Sequence, residues 1–564
     1  MGRRKKKLAA AQPPAVARRF WLIEWLCRPT IWPYLILIPL TVAVYWGALS
    51  CSFASDDTDQ LLRNPLVQDY HRLPDIFLQD AWGFMHLPGE PGSNYYRPIQ
   101  FVAYLAIYCA AGFSAYWFHM TMILLHVANT LLVFRLGRLL LGKLDEQPYA
   151  ATFAAALFAV HAANTDTVAW IGTLPELLMT LALLTMLLLF LHQQAAPVGW
   201  QVAGYAALFL LAILTKETAV IAPVLLAGYS WLYLGRPLRR ELWDRRWLYL
   251  SLLLVFAVYL TMRYRALGAL APAQGQHFHL SPKQLVLNAL VLMAEYFAKL
   301  VVPWNVSHFH LFEPIDSIRP VVVLSLVALV AFLATMFWTR KRAPLVSFGL
   351  LVILAPLLPV MNLTGINDSP FAERYLYLPS VGFVWIAAWI WENLWNAAGS
   401  RSLARIAVDA MAAAILAVFG AMTVARIPVW KDDPHLWEAT ARQEPNAAKP
   451  HKILAGLYQI GGPNKRAMEQ IREWVRLAPK DEMAHNNLGL CLMMERKYTE
   501  AMEEFQKALA CKPSEAQTYY NMGSLLAATG RKDEAEAAFR KALQLRPDYQ
   551  AADDQLQKLI YNIP

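Results

Sequence analysis

Between residues 32 and 425 the chain alternates long apolar runs with short polar turns, many of them Arg-rich; from 426 onward Lys, Glu, Gln and Ala dominate. A helix crossing a bilayer needs ~20 predominantly apolar residues. The runs 32–50, 117–141, 150–164, 174–192, 200–214, 219–234, 247–264, 320–338, 344–361, 376–395 and 404–425 are the candidate spans, with 150–164 and 200–214 short enough to be partly submerged. Two further stretches, 97–112 and 284–302, are also apolar. Cytoplasmic loops carry an excess of Lys and Arg. The turns at Arg135/Arg138/Lys143, Arg236–Arg246, Arg340–Arg342 and Arg401/Arg405 share one side only if neither extra stretch crosses. The pattern therefore predicts eleven spans, with the basic segment 1–31 inside and the C-terminus outside. The outer loops are then 51–116, 265–319 and 362–375, with short links at 165–173 and 215–218.

The polar C-terminal part has its own period. Pro445, Pro479, Pro513 and Pro547 are spaced by 34 residues; Ala467, Ala501 and Ala535 keep the interval, as do Ala455, Gly489 and Gly523. A 34-residue period with small residues at two fixed points marks tetratricopeptide (TPR) helix pairs. The small residues let paired helices approach, and Pro stops the second helix of each unit. The reading is a linker at 426–446, three repeats over 447–548 and a capping helix at 549–561. The fold class is thus all-α: a polytopic helical bundle followed by a soluble TPR solenoid, which closes the chain at 447–564. Asn487 and Asn521 occupy one position of the first helix in their repeats. They are candidates for holding an extended peptide, although a solvated Asn is common there and Ile453 breaks the series.

Composition supports the division. The chain is 57% hydrophobic and 16% charged, against roughly 45–50% and ~25% in ordinary soluble chains. The net charge of +10 sits largely at topology-setting turns, so it does not suggest nucleic acid. Five Cys without paired spacing argue against a disulfide framework or a Zn site. The apolar run after Pro33 lacks a small-residue cleavage site and reads as a retained anchor.

Charged residues beside spans are functional candidates. Asp56 and Asp57 follow the first span directly. Arg97-Pro98 opens an apolar half-helix. His161-Ala-Ala-Asn-Thr-Asp-Thr and Leu-Pro-Glu176 lie between two spans, Lys216-Glu217 caps an outer hairpin, and Glu373-Arg374-Tyr375-Leu-Tyr377 stands at the mouth of a late span. Three cations (Arg97, Lys216, Arg374) and a carboxylate pair on one face suit an anionic lipid-linked donor and a general base. His277, His279, His308 and His310 are spaced in pairs, but no Cys or fixed helix face accompanies them, and no metal site is assigned.

These motifs, Asp-Asp followed by Tyr-Arg97-Pro-Ile-Gln-Phe, then His-Ala-Ala-Asn-Thr-Asp-Thr-Val-Ala-Trp, Leu-Thr-Lys-Glu-Thr and Glu-Arg-Tyr-Leu-Tyr-Leu-Pro-Ser, resemble the GT-C superfamily of polyprenyl-phosphate-sugar glycosyltransferases. Within it they are similar to the transmembrane and TPR-repeat protein O-mannosyltransferases and their bacterial relatives, over nearly the whole chain. The array here is shorter than in animal members. The resemblance implies inverting transfer of mannose or another hexose from a polyprenyl-phosphate donor to a hydroxyl of an acceptor protein. Asp56 would be the base and Asp57 would orient the acceptor or help hold a divalent cation, which remains unassigned. Arg97, Lys216 and Arg374 would neutralise the donor phosphate. His161, Glu176, Glu217, Glu373, Tyr375 and Tyr377 would line the sugar or lipid pocket, with helix packing or an interfacial aromatic belt as the competing roles.

The expected partners are the lipid-linked sugar, membrane lipids, and an acceptor or partner protein in the TPR groove. The short array favours a bacterial inner membrane with the array in the periplasm; in a eukaryote it would be lumenal. A lipid or polysaccharide glycosyltransferase and a non-catalytic TPR scaffold are the competing functions.

Overall fold

The computed structural model describes residues 31–85, 93–141, 148–193, 195–270, 280–361, 369–459 and 464–561. These residues form helices joined by turns and irregular segments, with no strand among them. Most of the basic N-terminal segment, and with it His277 and His279, lie outside the described residues.

Besides a seven-residue helix at Leu238–Asp244 and shorter turns, thirteen helices build the bundle region among the described residues. They are α1 (Trp32–Tyr45), α2 (Pro98–Ala111), α3 (Ala115–Leu140), α4 (Tyr149–Val160), α5 (Leu174–His192), α6 (Trp200–Thr215), α7 (Ala222–Gly228), α8 (Arg246–Leu267), α9 (Pro282–Val301), α10 (Pro320–Thr339), α11 (Pro344–Leu357), α12 (Tyr377–Ala397) and α13 (Ser402–Arg426). Among the described residues eight segments are long and apolar enough to cross a membrane, not the expected eleven. The set includes α9, expected to stay on the outer surface, and leaves out α4 and α6. At ~1.5 Å per residue, the 12 residues of α4 reach roughly 18 Å, short of the ~30 Å hydrocarbon core. The expected span 219–234 is a 3₁₀ turn, the seven-residue α7 and a π turn in succession. Helix α12 has 21 residues but is not among the eight, since Glu392, Asn393 and Asn396 interrupt its apolar run.

Small residues bring the helices together. A Cβ on Gly382 of α12 would sit 2.3 Å from the Gly349 carbonyl oxygen of α11, and one on Gly349 would meet Ile386 at 2.8 Å. The two backbones therefore touch, as between helices in lipid, where close packing replaces the hydrophobic drive. Helix α4 is Ala-rich and buried over most of its length; it lies against α3, where Gly137 faces Ala151.

Basic turns gather at one end of the bundle. There Tyr233 donates to the Leu140 carbonyl at 2.5 Å, Arg340 to the Trp231 carbonyl at 3.1 Å, and the Arg405 guanidinium lies 3.9 Å from the Trp395 ring centre. The acidic turn after α1 is at the other end.

The segment expected as a linker, 426–446, is a packed part of the fold. It forms a 3₁₀ turn, Ile427–Trp430, and helix α14 (Asp433–Gln443), burying Trp430, Leu436 and Trp437. Helix α14 ends just before Pro445, as later second helices end before Pro479, Pro513 and Pro547, so it takes the place of a half-repeat ahead of the array. The repeats are α15 (Ala448–Gln459) with α16 (Lys465–Leu477), α17 (Glu482–Met494) with α18 (Tyr498–Cys511), and α19 (Ala516–Ala528) with α20 (Lys532–Leu545), followed by α21 (Gln550–Tyr561). A Cβ on Gly489 would lie 2.6 Å from the Phe505 ring, and one on Gly523 2.8 Å from Phe539. One period earlier the pair is Ala455 and Ile471, both buried: a methyl is admitted where the ring is absent.

Candidate active site

The acidic turn begins with an unusual backbone. Ser55 has φ +58°, a left-handed conformation that is uncommon for a residue with a side chain. Its N–H donates to Asp433 Oδ1 of α14 at 2.6 Å, and its hydroxyl lies 3.1 Å from His308 Nε2. Asp56 and Asp57 follow, and the chain then turns into a π-helix, Thr58–Leu62. Asp57 is 1% exposed and accepts from the Ala54 N–H at 3.2 Å. Burial holds its carboxyl well above the usual carboxylate range, partly opposed by that N–H. Asp56 is half-buried. Burial raises its pKa too, opposed by the nearby Arg374 and Lys449 charges.

The structure brings the three expected cations to this end but gives them different partners. Arg97 holds Glu217 through two bonds, Nε–Oε2 at 3.1 Å and Nη2–Oε1 at 2.6 Å, beneath the Tyr95 ring. Burial opposes the Arg97 charge and Glu217 more than restores it; Glu217 in turn is held down to about 2, burial being outweighed by Arg97. Lys216 pairs with Glu176, both nearly fully buried, and its ammonium lies 4.8 Å from the Tyr375 ring centre. Arg374 makes no carboxylate ion pair among the described residues. It lies over the Trp170 and Tyr375 rings, at 5.5 and 5.1 Å. Burial opposes its charge, while Tyr375 and Glu176 keep it firmly protonated. Glu176, Lys216, Thr218, Arg374, Tyr375 and Tyr377 line a cavity of about 20 Å³, room for one water molecule.

Other predicted residues hold structure. His161 is fully buried, with Nε2 3.0 Å from the Leu300 carbonyl and Nδ1 accepting from the Ala163 N–H at 3.3 Å, so it ends α4. The Tyr377 hydroxyl meets His126 Nδ1 at 2.8 Å and accepts from Asn129 at 3.2 Å. Glu373 is buried under His310, 2.9 Å away, with Lys299 at 3.5 Å. In the array, Asn521 donates to Asn486 at 2.9 Å and accepts from Gln517 at 3.2 Å, which makes it part of an internal polar ladder; Asn487 is half-exposed.

Residues without a place in the expected site complete the end of the bundle; His308 and His310 stood out in the sequence only as spaced histidines. Asp166 accepts from Trp430 Nε1 at 2.9 Å and Arg426 Nε at 3.3 Å. His308 stands edge-on to Trp170, Trp430 and Trp437, with centroids 5.0–5.3 Å apart. Burial, then the Arg374 and Lys449 charges, press its pKa well below normal, so it is neutral. His310 bridges Glu373 and Glu444, the latter at 3.1 Å, and Gln443 donates to the Val306 carbonyl at 2.9 Å. Asp166 lay in a motif visible in the sequence; the contacts from 430–449 carry no local signal. Among the described residues no three His, Cys, Asp or Glu side chains converge as a metal site.

A bundle of apolar spans with an acidic turn and buried ion pairs at one end, continuous with helix pairs of a 34-residue period, is a multi-pass membrane protein carrying a TPR solenoid. The tetratricopeptide repeat family model matches residues 481–548. Over most of its length the chain is similar to proteins named protein O-mannosyl-transferase: 26% identical to one from Caenorhabditis elegans, covering 79% of this chain and 63% of that protein. Against Tmtc3 of Drosophila melanogaster the identity is 23%, over 85% and 58%. Against TMTC3 of Homo sapiens it is 22%, over 80% and 52%. The resemblance seen in the motifs therefore extends along the chain, which spans between about half and two thirds of these relatives' length.

Proposed function

We propose that the protein is a membrane glycosyltransferase that moves a hexose, mannose by the name of its relatives, from a polyprenyl-phosphate donor to a hydroxyl of an acceptor polypeptide. The observation that carries this reading is the placement of Asp56, the more accessible acid of the turn, close to Arg374, the cation without a carboxylate partner among the described residues. The acceptor oxygen attacks the anomeric carbon and its proton passes to Asp56. The bond from that carbon to the phosphate oxygen breaks, and the electron pair leaves with the lipid phosphate, so the configuration inverts. A buried carboxylate with a raised pKa is a better base than a solvated one, provided it is ionised; Arg374 and Lys449 favour that form. Arg374 meets the phosphate through paired N–H donors. Lys216, already held by Glu176, supplies field rather than a free ligand, as does Arg97 through Glu217. Asp57, walled in, shapes the turn and orients the acceptor. No metal ion is given a role.

Asp433 and Glu444 reach the acidic turn and its neighbouring loop, so the array and the site lie on one side of the membrane. The basic turns lie at the opposite end, and the positive-inside bias supports an outer location for site and array: a bacterial periplasm, or an endoplasmic-reticulum lumen in a eukaryote. A reporter fused after the array that proves cytoplasmic would overturn this orientation. The array is proposed to present the acceptor polypeptide.

The reaction is tested with purified full-length protein, radiolabelled polyprenyl-phosphate mannose and a Ser/Thr-rich polypeptide. Asp56→Asn should lower transfer by on the order of 10²–10⁴-fold, the usual share of a general base, while donor binding persists. Transfer that survives the substitution removes Asp56 from the role. Arg374→Ala should weaken donor binding; unchanged affinity sinks its assignment to the phosphate.

A further inference from the structure

The turn that presents Asp56 is held from outside itself. Ser55 adopts a left-handed backbone, which costs energy for a residue with a Cβ and persists only where the surroundings enforce it. Two groups from distant parts of the chain enforce it here. Asp433 of α14 takes the Ser55 N–H at 2.6 Å, and His308, in the loop between α9 and α10, meets the Ser55 hydroxyl at 3.1 Å. His308 is fixed by the three Trp rings around it. Asp433 is fixed by position: it opens α14, whose Asp432 side chain accepts from the His435 N–H at 3.0 Å. A third tie, from the Ser52 N–H to the Lys431 carbonyl at 2.8 Å, runs beside the first. A carboxylate accepting a backbone N–H is a strong, charge-assisted bond.

We propose that Asp433 is a positioning residue for Asp56, and that the segment following the last span is for this reason a built part of the active site rather than a connection to the array. This rests on the reading of Asp56 as the base. The carboxylate of Asp433 holds the Ser55 N–H and with it the left-handed turn. The turn sets where the next carboxylate points. Without the tie Ser55 relaxes toward negative φ and Asp56 leaves its register with the acceptor hydroxyl; a misplacement of ~1 Å can cost on the order of 10²-fold in rate. Donor binding, which falls to Arg374 and its surroundings, is untouched.

The test compares three substitutions in the full chain, using the same radiolabelled donor and polypeptide. Asp433→Asn keeps an oxygen that accepts the N–H and removes the charge. Asp433→Ala removes both. Asp433→Ser keeps a residue suited to the first turn of a helix but is too short to reach, and serves if alanine costs the fold. The expected result is a fall in kcat of at least about tenfold for Ala and Ser with KM for the donor unchanged, and a kcat near wild type for Asn. Asn has a second signature. Asp433 is one of the charges that raise the Asp56 pKa, together with Asp59 and against Arg374 and Lys449, so the acidic limb of the Asn variant's pH–rate profile moves to lower pH. Unchanged kcat in Ala or Ser, or equal losses in Asn and Ala, overturns the proposal. If Asp56→Asn itself retains transfer, the failure lies instead with the assignment of the base.

Discussion

In the array Gly489 meets the Phe505 ring sixteen residues away, and Gly523 meets Phe539 at the same interval. At the acidic turn Ser55 meets Asp433 across 378 residues of chain, and His308 across 253. The array is local and repeated; the site is distant and unique. A repeat stack adds its stability neighbour by neighbour, so damage to one unit stays near that unit. The site has no such redundancy, since each contact there is made once and each joins a different pair of elements.

Truncation should break this comparison most sharply. A chain ended after Trp430 lacks Asp433 and is expected to lose transfer altogether. One ended after Gln459 keeps α14 and α15 and is expected to retain transfer to a short Ser/Thr peptide while losing preference for long acceptors. Equal activity in the two truncations would mean that the site does not depend on α14. Breaking a single buried pair comes next. Lys216→Met leaves Glu176 buried without its cation, a change that typically costs ~3–5 kcal/mol, read as a lower midpoint of thermal unfolding in detergent. Smaller still is Gly489→Val in the array, where overpacking against Phe505 should cost ~1–3 kcal/mol and leave transfer to a short peptide intact. A coincident loss of transfer would tie array to site more tightly than the contacts imply.

The smallest expected effect is a pH dependence. Burial works against the His310 charge, but Glu373 and Glu444 raise its pKa to about 9, above the ~6.5 of an unfolded chain. The protonated form is therefore the one the fold favours. Its contribution is complete below about pH 6.5 and is lost as pH rises through about 9. The unfolding midpoint of the wild type should fall between pH 7 and 10 more steeply than that of His310→Gln; parallel curves would show that the bridge contributes little.

The same contrast explains what could be read from the sequence. The 34-residue spacing of Pro and small residues located the repeats, because each unit solves the same packing problem. The carboxylate pair and the cations were legible because charge beside an apolar run is costly and so stands out. Their pairing was not. Lys216 and Glu217 are adjacent, yet Lys216 reaches Glu176 and Glu217 reaches Arg97. The backbone at Lys216 is extended, φ −157° and ψ 133°, and successive side chains on an extended backbone point to opposite sides. His161 sat in a motif near the site but serves as a helix cap, and Asp433 was hidden in what read as a linker. Span lengths were harder to read for a related reason: α4 is apolar and buried among other helices, and burial in protein and burial in lipid leave similar traces in composition.

The anchorage at Asp166 has a consequence for reach. Trp430 and Arg426 both donate to this one buried carboxylate where the last span ends, so the array leaves the membrane on a fixed footing. If the array seats the acceptor as proposed, the strand would be measured out from Asp56 as by a ruler, not trailed on a tether. The hydroxyl that receives the sugar would then be selected by its distance along the polypeptide from the seated stretch. Lengthening the array by whole repeats would add further seats without moving the zero mark.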